Sequence, residues 1–227
     1  MSSYIKKLIE RGESQHLDFK FEITDSRKIA RTLAAFSNSE GGTLLIGVKD
    51  NGVIAGVRSE EEYYMVEAAA SLYCKPPILF KTHEWNVDGK TILEVTILAE
   101  EEVLRSAPDK DGNWKIYIRV DDHNLLANRV YLQARSRRKR TRGVFLAYTE
   151  KEKTLLTYLD QNFSITLSKF CRLAKLSRNK AEKTLANLIA LDIVEQVLTE
   201  HGCYYKLRDE SLQFPLEDRY PEGFTKW

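Results

Sequence analysis

Polar and apolar residues alternate over residues 16–23, with Leu17, Phe19 and Phe21 on one side, and this period of two predicts a half-buried strand. A short helix is predicted before it, over residues 3–11, with Ile5, Leu8 and Ile9 on one side and Gly12 at its end. Ile29, Leu33 and Phe36 recur at helical spacing and predict a helix over 26–38. Gly41 and Gly42 allow a tight turn into a continuous apolar strand over 43–48. Asn51-Gly52 then signals a hairpin turn between 44–48 and 53–57. Ser59 and Glu62 have capping-box spacing and open a helix to about residue 73, which Lys75-Pro76-Pro77 stops. Strands are predicted over 79–85 and 91–98, joined at Asp88-Gly89, and over 115–120 after a turn at 109–113. A helix over about 124–138 is expected to close this part, giving one mixed sheet that carries helices, an α+β arrangement.

The pattern changes beyond the basic run Arg135-Ser136-Arg137-Arg138-Lys139-Arg140-Thr141-Arg142. Thr149 and Glu152 have capping-box spacing ahead of Leu155, Leu156 and Leu159. A second short helix is predicted over 166–174 and a third after the N-cap candidate Ser177, with Ala181, Leu185, Leu188 and Ile189 inward. Two strands, 193–198 and 203–207, flank Glu200-His201-Gly202. Three helices followed by a β-hairpin resemble a winged helix-turn-helix. The reading divides the chain into a first domain of 1–134, a basic linker of 135–144, a smaller winged-helix domain of 145–208 and a tail of 209–227.

Charge sharpens this division. The formal net charge is +2, but residues 1–134 carry 17 Lys and Arg against 21 Asp and Glu, whereas residues 135–227 carry 18 against 12. Attraction to polyanions is therefore expected in the second half. Cys74, Cys171 and Cys203 have neither zinc-ligand nor disulfide-framework spacing and are expected to be buried packing residues, and His16, His83, His123 and His201 are scattered. There is no apolar signal core, and no stretch approaches the roughly 20 apolar residues that cross a bilayer, so a cytoplasmic location is expected.

Two motifs carry a family resemblance. Glu13-Ser14-Gln15-His16-Leu17-Asp18-Phe19-Lys20 is followed by the segment from Phe36 through Asn38, Gly41-Gly42 and Ile46-Gly47-Val48 to Asp50 and Gly52. Together they resemble the Schlafen-type AlbA-like domain, with its E-S-x-x-x-E-F-K box and F-A-N-x-x-G-G-x-L-x-I-G-V-x-D-x-G segment. Asp18 replaces the second Glu and Ser37 the Ala. The stretch around Tyr117, Arg119 and Asn124 resembles that family's Y-x-R-x-G-x-x-N, with Asp121 in place of Gly. The resemblance covers about the first 125 residues and implies a mixed-sheet α+β fold that handles nucleic acid.

It also implies two functions. Nucleases of the family use acids that match Glu13, Asp18 and Asp50, and such a trio can hold a divalent metal ion that activates water. Regulators of the family join the domain to a winged helix. In that case Arg178, Asn179, Lys180 and Lys183 open the recognition helix, and Arg137, Arg138, Lys139, Arg140 and Arg142 supply phosphate contacts. A DNA-binding transcriptional regulator without cofactor, a homodimer acting on double-stranded DNA, is the first reading. A metal-dependent nuclease acting on RNA or single-stranded DNA is the alternative. Gly41, Gly42 and Gly47 precede a strand rather than open a helix, so neither a P-loop nor a dinucleotide fingerprint is present, and no ATP hydrolysis is expected.

Overall fold

The computed structural model describes residues 2–140, 145 and 147–208, and the chain divides into two compact units, Met1–Ala127 and Asn128–Trp227. Unit 1 runs α1 (Ser2–Arg11), β1 (Leu17–Lys20), α2 (Ser26–Asn38), β2 (Gly42–Ile46), α3 (Glu61–Leu72), β3 (Phe80–Val87), β4 (Lys90–Ile97), β5 (Ser106–Pro108), β6 (Trp114–Val120) and β7 (His123–Leu126). A four-stranded mixed sheet has the order β1-β2-β4-β3, with β1 parallel to β2 and the other pairs antiparallel. β5, β6 and β7 form a second, antiparallel sheet.

The continuous apolar run of β2 reflects two covered faces. Leu44 and Ile46 enter a cluster with Leu33 and Phe36 of α2 and Val66 of α3, while Leu45 enters one with Ile5 of α1, Phe19 and Ile92. Alternate strand residues point to opposite faces, so a strand covered on both sides needs apolar residues at every position. The same alternation turns Leu17 and Phe19 toward the α1 cluster and Asp18 away from it. Gly42 is fixed by packing: a Cβ there would lie 2.4 Å from the Phe36 ring.

The structure departs from the sequence reading at several points. Residues 53–57 form no strand; Val48 and Ile54 make one isolated bridge, and Gly47, at φ +95, accepts from Ala55 and Gly56 instead. Glu60, rather than Ser59, is the N-cap of α3, and the Ser59 hydroxyl accepts from the Glu61 N–H. β5 and β7 were not expected. The helix placed over 124–138 is two elements, because residues 123–126 pair with β6 and Asn128 caps a helix that begins at Arg129, accepting from the Tyr131 N–H at 2.9 Å. This helix does not close unit 1. Val130 and Ala134 share a core with Leu185 and Ile189, which moves the boundary from 134 to 127.

Unit 2 comprises α4 (Arg129–Arg138), α5 (Glu150–Gln161), α6 (Leu167–Leu173), α7 (Arg178–Ala190) and the hairpin β8 (Val194–Thr199) and β9 (Gly202–Leu207). The Thr149–Glu152 capping box forms, with the Thr149 N–H donating to Glu152 Oε2 at 3.0 Å. Ile165 and Tyr205 exchange backbone hydrogen bonds of 2.9 and 2.8 Å, adding a one-residue rung beside the hairpin. Leu155, Leu159, Phe170, Leu185 and Leu188 fill the centre. Part of the basic linker, Arg135 to Arg138, is thus the last turn of α4. Residues 141–144 and the tail from 209 lie outside the described residues.

Candidate functional site

The signature residues of unit 1 converge on one buried polar network. Asp18, turned away from the α1 cluster, is 4% exposed. Its Oδ1 lies 3.2 Å from Arg119 Nη2 and its Oδ2 2.8 Å from Lys20 Nζ. The Arg119 side chain is 1% exposed. It donates to the carbonyls of Ser14 and Leu17 and, through Nη1, to Asn124 Oδ1 at 3.0 Å, and it lies 5.0 Å from the Phe36 ring centroid. Asn124 donates in turn to Thr32 Oγ1 on α2. Asn38 donates to the carbonyls of Arg105 and Tyr117 and accepts from the Arg105 N–H. Arg119 and Asn124 therefore bind β6 and β7 to β1 and α2. Asp121, which stands where the resembling pattern has Gly, takes the left-handed conformation with φ 53, which Asp tolerates better than most residues. Its N–H donates to Gln15 Oε1 at 2.9 Å.

Glu13 faces Asp18 and accepts from the Phe19 N–H at 2.8 Å. Burial, with the Asp18 charge adding to it, raises its pKa above the ordinary 4.5, against the opposing pull of the Phe19 N–H and Lys20. The folded state thus holds this proton more tightly than the unfolded chain. The stability this gives is fully present below about pH 4.5 and is lost as pH rises through the folded value. Urea midpoints measured upward from pH 4.5 should carry a component that falls with pH, and Glu13→Gln should remove it.

The three acids are not gathered as a metal site in the structure. Asp18 has its oxygens against two cations, Glu13 accepts a backbone N–H, and Asp50 sits exposed in the turn after β2. Among the described residues no three His, Cys, Asp or Glu side chains gather closely enough to hold one. Of the thiols only Cys74 is fully buried, and burial pushes its pKa up to about 12; Cys171 and Cys203 are half-buried.

Unit 2 carries a run of exposed cations over α6, α7 and the turn between them. From residue 169 to 183 the exposed cations are Lys169, Arg172, Lys175, Arg178, Lys180 and Lys183, and the sole acid, Glu182, is buried. Asn179 is exposed among them, and Ser177 makes no side-chain cap on α7. Lys169, Arg172 and Lys175 were missed from the sequence, although their three-residue spacing ahead of Arg178 was there to read.

Three of the expected contact residues are engaged internally. Arg138 donates to the Ile189 carbonyl at 2.8 Å and to Asp192 at 2.6 Å, which fastens α4 to the end of α7. Arg178 Nε lies 3.0 Å from Glu182 Oε1. Arg137 donates to Gln133 at 3.1 Å, and burial, then the neighbouring Arg140 charge, lowers its pKa. Lys139 and Arg140 are exposed, and Arg142 lies outside the described residues.

A mixed-sheet α+β domain whose two signature boxes meet in one network defines the class of unit 1. Residues 13–128 match the family described as Schlafen, AlbA_2, just over half of the chain, and the protein belongs to that family. Among solved structures, it is similar to the DIP2311 protein from Corynebacterium diphtheriae at 20% identity and a TM-score of 0.42. That match takes in 54% of this chain and only 28% of that one. It is also similar to the N-terminal domain of a RecG-related protein from Nitrosomonas europaea, at 20% identity and a TM-score of 0.35, over 55% of this chain and 95% of that one.

Proposed function

We propose that the protein is a transcriptional regulator that binds double-stranded DNA through the α6–α7 face of unit 2. The observation that carries this reading is the run of six exposed cations from Lys169 to Lys183 with its one acid buried. Phosphate neutralisation by Lys and Arg supplies most of the affinity for duplex DNA. The order of α5, the Ile165 rung, α6, α7 and the β8–β9 hairpin supports a winged-helix reading, in which α7 would enter the major groove. Its exposed stripe of Asn179, Lys180 and Lys183 is the part that would meet bases and phosphates.

Unit 1 carries 16 Lys and Arg against 21 Asp and Glu, a poor surface for DNA charge. Its role in this reading is assembly, joining two copies so that paired winged helices span two half-sites. A cytoplasmic location accompanies the reading; among the described residues no helix is long and apolar enough to cross a membrane. The nuclease alternative keeps one supporting observation, the contact between Glu13 and Asp18.

The test is anisotropy of a labelled duplex titrated with the full chain at several salt concentrations. The expected log–log slope is steeply negative, about −0.9 for each phosphate neutralised, and the duplex is recovered intact with magnesium or manganese present. Absence of duplex binding rejects the reading, and metal-dependent cleavage that Asp18→Asn abolishes favours the nuclease.

A further inference from the structure

The carboxylate of Glu182 is 2% exposed and lies between two guanidiniums from different helices. Its Oε1 is 3.0 Å from Nε of Arg178, the first residue of α7, and its Oε2 is 3.6 Å from Nε of Arg129, the first residue of α4. Both arginine side chains are open to solvent, at 76% and 68%. A buried carboxylate needs cationic partners, but one guanidinium would satisfy its charge. Two leave the group with a net charge of +1. The nitrogen of each arginine that meets Glu182 is Nε, which leaves the two Nη groups, the fork that matches phosphate oxygens, for a ligand.

We infer that Arg129, Glu182 and Arg178 form a two-arginine clamp for a phosphate group. Glu182 is a positioning residue: its Oε1 accepts from Arg178 Nε and its charge draws the Arg129 guanidinium to 3.6 Å before a ligand arrives, which lowers the entropy lost on binding. Arg129 belongs to the clamp only because α4 packs on α7, and α7 also carries Asn179, Lys180 and Lys183 on its exposed stripe. On the DNA reading above, on which this assignment of the ligand rests, the phosphate is one of the duplex backbone. The clamp would then fix the register of α7 without reading sequence. Free phosphate shares the chemistry and is the other source.

The test uses the full chain and two probes. In arginine Nε–Hε NMR spectra, inorganic phosphate is expected to shift the Arg129 and Arg178 signals more than that of exposed Arg172, and Arg129→Ala to abolish the Arg178 shift. With a labelled duplex, Arg129→Ala is expected to reduce the salt slope by about 0.9 and weaken all sequences alike, while Arg129→Lys keeps the slope. A phosphate response at Arg129 and Arg178 no larger than at Arg172 overturns the clamp, whatever the duplex does. A paired response in a chain that binds no duplex supports the clamp as a free-phosphate site and rejects the DNA reading. A paired response with duplex binding and an unchanged slope in Arg129→Ala overturns its use on the DNA backbone.

Discussion

Arg119→Ala is expected to destabilise unit 1 by about 3–5 kcal/mol, the cost of breaking a buried ion pair from one side. The change leaves the Ser14 and Leu17 carbonyls, Asn124 Oδ1 and Asp18 Oδ1 without the guanidinium that serves them. Asp18 would stay buried against Glu13 with Lys20 as its remaining cation. Asp18→Asn should cost less, because Arg119 keeps its carbonyl and Asn124 partners. Urea unfolding followed by the fluorescence of Trp85 and Trp114, both in unit 1, gives the measurement. An Arg119→Ala chain as stable as the parent would show that the signature residues are not what holds β6 and β7 to β1.

Joint replacement of Lys175, Lys180 and Lys183 by Ala is expected to lower the magnitude of the salt slope for duplex binding by about 0.9 for each phosphate that is no longer neutralised. All three are exposed, so the fold should survive unchanged, and far-UV circular dichroism would check it. The weakening should be the same for every sequence, since phosphate contacts position and do not specify. Asn179→Ala should behave differently, costing about 1–3 kcal/mol at one base position and relaxing preference there. The sequence alone placed Arg178 and Asn179 side by side at the start of the recognition helix, where a helix meets base edges. With Arg178 held by Glu182, reading those edges falls to Asn179.

How much the sequence shows depends on the range of the interaction. β2 is legible because a strand covered on both faces must be apolar throughout, and α2 because Ile29, Leu33 and Phe36 repeat at helical spacing. β5 and β7, three and four residues long, are too short to show a period. The division at 127 is hidden because Val130 and Ala134 are the only fully buried residues of α4, and a basic run beside them looks like a linker. The motif boxes could be recognised as the mark of the fold, but not as the polar network that their residues build. Asp18 and Arg119 are 101 residues apart, and only the β1–β2 register and the placement of β6 bring them together. Asp50 is exposed in the turn after β2, and among the described residues no three His, Cys, Asp or Glu side chains gather to hold a metal ion. The run of cations was read in part because it lies within 15 residues, 169 to 183, while Arg129 entered from the other side of the assumed boundary.

The most direct test of the central claim is amide hydrogen exchange of the full chain with and without saturating duplex DNA. Slowed exchange is expected over residues 166–183 and around Arg129, with residues 13–20 and the β6–β7 turn unchanged. Protection confined to residues 13–20 and that turn, with α6 and α7 exchanging as in the free chain, would contradict the account and place nucleic acid on unit 1.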